Sequence, residues 1–574
     1  MLTVAAPPPW LLAPRIGEDE QRSLGADSLL LAQLLWNRGI RSAEEAHAFL
    51  HPLLGEPFGD PHLMLGLSSA TDRLLSAIRG GERIAVYGDY DVDGVAGAAL
   101  LTTALRGLGA DVFVHLPDRA RDGYGVHPDA VRKLVGDGAR VMVTVDCGIS
   151  ANQEVHLARS LGLDVIVTDH HTLPAGLPSA FAVLNPRQDR CQYPCKDLAG
   201  GGVAYQLARA LLRTMLDPAE AEHRARDLAM YAALSTVADI MPITGENRSI
   251  VAQGVASLRS GGSIGMRALV EASGRELAAV SATDLAFRII PRLNAAGRMG
   301  NARDALDLLL ATDPAEAQML ALRLEEANLA RRARVDELLA ELEGPAAAGA
   351  ERGAIVLHGA YPIGVAGLLA TRFAERHGVP CVIIERGAPT SRGSVRGVVG
   401  IDLIGVLEGC SEHLVQFGGH ERAAGFTVPS NEIELFQTAF EQGVRDVGVA
   451  PCLPAVPVDA VLKLASVGTR LADLVERFDP CGPGNLRPMF LSRGLHVRNV
   501  AKLKGGHLRL ELAQEWTVRR AVAFRPAFAA PTPGARVDVV YEVERSTWNG
   551  VERVDMLVRD VRESTPGRMA PAAV

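Results

Sequence analysis

From about residue 70 the chain alternates between two hydrophobic patterns. Short, near-continuous apolar runs read as strands: RIAVYGD (83–89), ADVFVHLP (110–117), RVMVTVD (140–146), DVIVTDHH (164–171) and FAVLNP (181–186). Helical segments at 94–108, 128–136 and 150–161 separate the first four. Apolar strands alternating with helices predict a buried, mostly parallel sheet, with ligands beyond the carboxyl ends of its strands. Residues 1 to about 70 read instead as a small helical lead-in, with Ser42 capping a helix that opens on Glu44 and Glu45. An Ala/Leu-rich helical run spans 225–238, and a long helix is predicted from about Asp313 to Leu342. EGPAAAGAERG (343–353) then reads as a flexible linker. GAIVLHG and PCVIIER are strands of a second α/β region, with a helix from Gly364 to His377 between them. Residues 455–562 show five strand patterns and one helix (467–478), which suggests a small barrel. The tail from Glu563 is expected to be disordered.

A length of 574 residues is too much for one core and predicts three or four domains. With 48% hydrophobic and 22% charged residues the chain is globular. Its net charge of −8 does not by itself suggest a nucleic-acid partner, so any basic surface must be local. One such stretch exists: Arg487 to Arg525 holds nine Lys/Arg against two Glu. Among seven scattered cysteines only Cys191 and Cys195 lie close, with no second pair to complete a zinc site. Cys191 is therefore read as a packed thiol, and a reduced, cytoplasmic protein is expected. MLTVAAPPPW lacks a basic region and is not read as a signal peptide, and no apolar run reaches membrane length.

The chemistry concentrates at strand ends. RIAVYGDYDVDG joins a strand to a helix through a turn bearing Asp89, Asp91 and Asp93. Three ionised carboxylates so close repel one another, and divalent cations relieve this because hard cations take oxygen ligands. Alone, the turn reads equally well as an acidic surface feature. The later runs shift the balance: Asp146 ends the third, and Asp169, His170 and His171 end the fourth. Three strands thus bring metal-type ligands to one edge. Asp239 closes the helical run in TVADIMP among apolar neighbours, so it needs a partner, a metal or a helix cap. Carboxylates mixed with imidazole suit Mn²⁺ or Mg²⁺ better than a thiolate zinc site.

In this order and spacing, DYDVDG, VDCGIS, TDHH and TVADIMP resemble the four motifs of the DHH phosphoesterase family. The later segments resemble its RecJ-type branch of single-stranded-DNA exonucleases, over nearly the whole chain. The resemblance implies a multidomain α/β fold: a helical lead-in (1–70), a DHH parallel-sheet domain (71–300), connector helices (301–345), a DHH-associated α/β domain (346–450) and an OB-fold barrel (455–562). It implies metal-dependent hydrolysis of single-stranded DNA, in the 5′→3′ direction, in repair and recombination. Single-strand-binding protein and a helicase are the protein partners it suggests. Two ions about 4 Å apart would activate water and stabilise the leaving oxygen. Asp91 and Asp93 would serve different metals and Asp146 would bridge both. His170 would ligate the second, Asp239 would close the shell, and Asp89 would bind directly or through water. His171 would touch the scissile phosphate, and Asp169 would orient a histidine. The two histidines, adjacent on an extended segment, are expected to point in different directions.

Substrate contacts are implied in four places. Arg119 and Tyr124 lie in the loop RARDGYGVHPD, and Arg292, Asn294 and Arg298 in IIPRLNAAGRMG, read as a Gly/Ala-rich loop. Ser394 and Arg396 belong to the second α/β region. So do Gly418, Gly419 and His420, in FGGHERAAG, read as a glycine-rich loop closing over phosphates. Three departures from the family pattern bear on substrate grip and leave the metal set intact. A usual Gly-Ser-Gly-Arg-Ser is here Gly393-Ser394-Val395-Arg396-Gly397; a Trp-His pair is Tyr361-Pro362; a Thr/Ser pair after the first motif is Ala96-Gly97. Two rival readings are a DHH phosphodiesterase of short oligonucleotides or cyclic dinucleotides, and an inactive scaffold. The barrel pattern counts against the first and the complete acid and histidine set against the second.

Overall fold

The computed structural model describes residues 8–54, 58–119, 121–448, 455–526, 528–548 and 551–564. Nearly all of the tail predicted to be disordered lies outside them. The chain divides into two compact units. One gathers the described residues of Gly59–Met241 and Gln253–Pro454, the other those of Pro9–Phe58, Pro242–Ala252 and Ala455–Val574.

The first unit opens with five parallel strands: β1 (Ile84–Gly88), β2 (Val112–His115), β3 (Val141–Val145), β4 (Asp164–Thr168) and β5 (Ala182–Leu184). Their order in the sheet is β2-β1-β3-β4-β5. Every residue of β1 and β3 is buried. A central parallel strand covered on both faces requires such a run. Helices α1 (Val92–Gly107), α2 (Gly200–Met215) and α3 (Pro218–Ala238) pack on one another, and α1 and α2 pack against this sheet. The departure at Ala96-Gly97 has a packing reason: a Cβ on Gly97 would lie 2.8 Å from Cα of Gly201 and 2.6 Å from Val145. A threonine or serine could not fit this helix crossing.

Two expectations for the next segment need correction. IIPRLNAAGRMG is not a loop: Ile290–Met299 is a helix, α4, entered through a π turn at Leu285–Ile289. Ile290, Leu293 and Ala296 bury one face of it, and Pro291 sits at its start, where its missing N–H costs little. The predicted linker at 343–353 is also helical. Helix α5 runs from Pro314 to Glu351, 38 residues and about 57 Å, with Pro345 inside it. Leu338, Leu342 and Ala346 bury against Ile355, Leu369 and Phe373, and this packing outweighs the hydrogen bond that Pro345 forfeits.

Beyond α5, five strands form a mixed sheet: β6 (Ile355–Gly359), β7 (Cys381–Glu385), β8 (Thr390–Arg396), β9 (Gln416–His420) and β10 (Ala423–Pro429). The order is β9-β10-β8-β7-β6, with helix α6 (Ile363–His377) between β6 and β7. FGGHERAAG is therefore not an open loop. Phe417 pairs with Phe426 and Gly418 with Gly425 in an antiparallel hairpin.

The second unit is a closed barrel of β11 (Met489–Leu503), β12 (His507–Gln514), β13 (Thr517–Ala523), β14 (Arg536–Trp548) and β15 (Val551–Glu563). β11 pairs with both β12 and β14, β13 with β12 and β15, and β14 with β15. Val497, Leu510, Leu512, Ala521, Val539 and Tyr541 fill it. The helical lead-in belongs to this core. Leu31, Leu34 and Leu35 of the helix Leu29–Asn37 are buried in the cluster that holds Val475, Phe478 and the barrel interior. Trp10–Leu12, expected to be helical, instead pairs in parallel with Val456–Val458. Arg248 is buried in the same unit and donates to the carbonyls of Phe478, Asp479 and Pro480. Among the described residues no helix is long and apolar enough to cross a membrane.

Candidate metal centre

Because β1, β3 and β4 are neighbours, their carboxyl ends deliver their acids to one place. Asp91 caps α1: its Oδ1 accepts from the backbone N–H of Asp93 at 2.8 Å and of Gly94 at 3.2 Å. Asp93, in the first turn of α1, meets the N-terminus of α2. It accepts from Gly200 N–H at 2.8 Å, from Gly201 N–H at 2.7 Å and from the Ser235 hydroxyl. A helix N-terminus favours a carboxylate, so Asp93 is oriented by α2. Asp146 follows β3 with φ of +64°. It lies so close to α2 that a Cβ on Gly200 would be 2.5 Å from its own. Gly200 and Gly201 therefore serve Asp146 and Asp93, a use that the sequence did not disclose.

Three sets of ligand atoms lie within 4.8 Å of one another: Asp89, Asp91 and Asp146; Asp93, His170 and Asp239; and Asp146, His170 and His171. Several of these atoms lack ordinary partners. Among the described residues, Asp89 Oδ1, Asp146 Oδ1 and both ring nitrogens of His170 are buried without a hydrogen bond. A buried orphan carboxylate oxygen is costly unless something else binds it. Burial raises the pKa of Asp89 well above the ordinary range, with the charge of Asp91 adding to it. Burial raises Asp146 likewise, helped by Asp93, Asp91 and Asp89. Asp239 is pushed up to about 8 by burial, then by Asp93 and Asp91. Burial lowers His170, which keeps the imidazole neutral and able to donate a lone pair. An oxygen-rich, one-imidazole donor set under mutual repulsion fits hard divalent cations.

The histidines do not diverge as expected. β4 ends at Thr168, so alternation along a strand no longer applies, and the two rings stand with centroids 4.5 Å apart. His170 Nε2 is 3.1 Å, and His171 Nδ1 3.8 Å, from Asp146 Oδ1. What separates them is Asp169. Its Oδ1 meets His171 Nδ1 at 2.7 Å and accepts from the N–H of both histidines, while Oδ2 accepts from Ile149 N–H. Burial opposes ionisation of Asp169, but the hydrogen bond and charge of His171 and the backbone N–H groups of His171 and Ile149 together outweigh it and lower its pKa. For His171 burial is again opposed and outweighed, here by Asp169, and its pKa is raised. Tyr124 is half exposed; its hydroxyl lies 3.1 Å from His171 Nδ1 and 3.2 Å from Asp146 O.

The arginines divide. Arg292 is buried against Glu325, Nε to Oε2 at 2.5 Å, and donates to Arg288 O, which ties α4 to α5. It is not available to a phosphate, contrary to expectation. Asn294 is half-buried on the same helix. Arg298 donates to Gly364 O at the start of α6. Burial pushes Arg298 down to about 9, and the nearby charges of Arg119, Arg331 and Arg396 contribute. Arg396 donates to Ser394 Oγ and Val395 O. Arg119 stands 5.0 Å over the Tyr90 ring. These guanidinium groups gather near Asp91 with little compensation, an arrangement that suits an anion. Arg331 belongs to it and was not anticipated; one arginine in a charged helix carries no distinguishing signal. Of the substituted positions, Val395 is buried in β8, Gly397 abuts Leu403 and Pro362 caps α6. His420, at the tip of the β9–β10 hairpin, is lowered by partial burial and by the fields of His171 and Arg187. Cys191 is buried, its Sγ toward Leu63 O.

Comparison with known proteins agrees in extent with this architecture. Residues 83–236 match the model of the DHH family, N-terminal domain, and residues 458–560 match that of the RecJ OB domain. The single-stranded-DNA-specific exonuclease RecJ of Escherichia coli is 33% identical, over 95% of this chain and 95% of its own length. The crystal structure of RecJ from Thermus thermophilus in complex with Mn²⁺ superposes with a TM-score of 0.82 at 30% identity, covering 98% of this chain and 81% of that one. The same protein in complex with Mg²⁺ gives 0.77 at 30% identity, with 98% and 80% coverage.

Proposed function

This chain belongs to the RecJ family of single-stranded-DNA-specific exonucleases, and from that premise we propose that it is a metal-dependent exonuclease that hydrolyses phosphodiester bonds of single-stranded DNA from the 5′ end. The observation that carries the reading is the convergence of buried, unbonded ligand atoms of Asp89, Asp146 and His170. Asp89, Asp91, Asp93, Asp146, His170 and Asp239 would hold two divalent cations, Mn²⁺ or Mg²⁺. When bound, such ions supply an activated water at neutral pH and neutralise charge on the attacked phosphate and the leaving oxygen.

The chain's own residues arrange the rest. Gly200, Gly201 and Ser235 keep Asp93 fixed. Asp169 orients His171 and raises its pKa, so that the ring would donate to a phosphate oxygen where charge develops. Arg119, Arg298, Arg331 and Arg396, with Ser394, would receive the strand's phosphates beside Asp91, bidentate contacts being natural to guanidinium. The hairpin with Gly418, Gly419 and His420 would cover the bound strand. The basic stretch of the barrel from Arg487 to Arg525 would carry the strand further along, by charge that bulk composition hides. This track favours a long strand over a short oligonucleotide as substrate. Repair and recombination in the cytoplasm, alongside single-strand-binding protein and a helicase, complete the proposal.

Digestion of single-stranded DNA labelled at the 5′ or the 3′ end, in parallel, with Mn²⁺ or with chelator, tests it. Early release of mononucleotide from the 5′ label alone, abolished by chelator, is expected. Early release of 3′ label, or turnover confined to oligonucleotides of a few residues, would overturn it.

A further inference from the structure

Helix α5 is apolar on two opposite faces. Ala317, Ala321, Leu324 and Asn328 are buried at alternating steps of four and three residues, and Arg331 continues the series. This inner stripe holds α5 to its own unit. Two residues earlier, and so about 200° around the helix, a second stripe keeps the same alternation at Ala315, Met319, Leu322, Glu326, Leu329 and Ala333. All of these residues are exposed, Met319 at 48%, Leu322 at 58% and Leu329 at 53%. An open groove of about 410 Å³ runs along the stripe from Ala315 to Glu326, with Arg323 in its lining. One apolar stripe is enough to dock a helix on its domain. A second stripe with heptad spacing, about 27 Å long and facing solvent, has the form of one half of a coiled coil.

We propose that the outer stripe of α5 is a self-association surface, through which two copies of this chain pair antiparallel about a two-fold axis beside Leu324. The occupant follows from the symmetry of the stripe. Reversed about position 324 it falls on itself: Ala315 meets Ala333, Met319 meets Leu329 and Leu322 meets Glu326. A two-fold contact uses one patch twice and requires such self-complementarity. Charge selects the direction. Parallel pairing would set Glu326 against its own copy, whereas antiparallel pairing sets it beside Leu322 and Arg323 of the partner subunit. A lone charged residue in an apolar seam fixes register at a cost in stability, which is the use Glu326 has here. Arg331, one of the guanidinium groups gathered near Asp91, lies on the inner stripe, so pairing leaves the metal centre open. One helix pair is small for a specific interface, so the dimer is a weak one, with a Kd on the order of tens of micromolar. The inference stands on α5 alone and does not depend on the nuclease reading.

Sedimentation equilibrium of the full chain, over a concentration range of about 1 to 200 μM, tests this. The average mass should climb from one chain toward two. Leu322→Glu places a second carboxylate opposite Glu326 and should hold the mass at one chain. Its thermal midpoint and its turnover on single-stranded DNA should stay at the parent values, since Leu322 is exposed and lies on the face opposite Arg331. Arg323→Glu and Glu326→Arg should each weaken the dimer about fivefold, and the two together should restore it. In a parallel pair residue 326 meets its own copy whichever charge it carries, so the exchange could not restore association. A mass of one chain throughout the range would overturn the proposal, and the stripe would then await a different protein. Association that Leu322→Glu leaves unchanged would place the contact elsewhere and overturn it as well. Loss in both single charge variants without recovery in the double variant would overturn the antiparallel arrangement.

Discussion

His170 Nε2 lies 3.1 Å from Asp146 Oδ1, yet both atoms are buried without a hydrogen bond. Two groups so close and so poorly aligned are placed for a third body between them. A divalent cation should therefore stabilise the fold strongly, and more at high pH than at low. Asp239 is pushed up to about 8 in the metal-free fold, whereas in the unfolded chain it titrates near the ordinary value of about 3.9. Between those values the folded state binds the extra proton, so metal-free stability falls as pH rises through this window. The thermal midpoint in chelator should drop from pH 5 to pH 8, and Mn²⁺ should raise it most at pH 8. A midpoint that climbs over this range without metal would refute the arrangement.

Asp146 belongs to two of the three ligand sets. Asp146→Asn should lower turnover at least a hundredfold at saturating Mn²⁺ without unfolding the chain, because it weakens both metal positions. Gly200→Ala should do nearly the same from outside the ligand set, by driving a methyl against Asp146. Activity of Asp146→Asn within tenfold of the parent would defeat the two-metal scheme.

His171 is tied to Asp169 through Nδ1, while His170 has neither nitrogen bonded. His170→Ala should weaken metal binding in calorimetric titration. His171→Ala and Asp169→Asn should lower turnover by about tenfold to a hundredfold with metal affinity nearly unchanged. The raised pKa of His171 also sets a direction: its proton is lost as pH rises through that value, so turnover limited by His171 should decline on the alkaline side. Equal loss of metal affinity in both histidine variants would dismiss the division of roles.

Arg298, pushed down to about 9 by burial and by its cationic neighbours, is destabilised in the free protein and should be relieved by an anion. Inorganic phosphate should raise the thermal midpoint of the parent, and Arg298→Gln should blunt that rise while increasing KM for a strand. Arg292→Gln should behave differently. It breaks the buried pair with Glu325, so it should cost stability on the order of 3 kcal/mol and leave the phosphate effect intact.

Leu34 is fully buried in the barrel unit although it precedes the barrel by more than four hundred residues. Leu34→Ala should destabilise that unit by about 2–5 kcal/mol in denaturant melts. For the same reason, deleting residues 455–574 should leave Leu31, Leu34 and Leu35 uncovered and cause aggregation. Point variants on the barrel face are thus the sounder way to probe it.

The parallel sheet was legible because strands buried on both faces must be nearly all apolar, and Ile84–Gly88, Val141–Val145 and Asp164–Thr168 follow that demand. The convergence of the acids and histidines on one sheet edge was legible because three separate apolar strands each end in such a residue. The sequence alone could not show that α2 offers its N-terminal amides to Asp93, that Asp169 rather than strand alternation separates the histidines, or that Arg292 is consumed by Glu325. Nor could it show that Pro345 lies inside a helix, that IIPRLNAAGRMG is helical, or that the lead-in completes the barrel core. The Asp169–His171 pair depends on a local turn just past the strand, and the others on contacts with separate segments of the chain. Local pattern records what a residue prefers; only the packed partner determines whether burial or a distant hydrogen bond outweighs that preference.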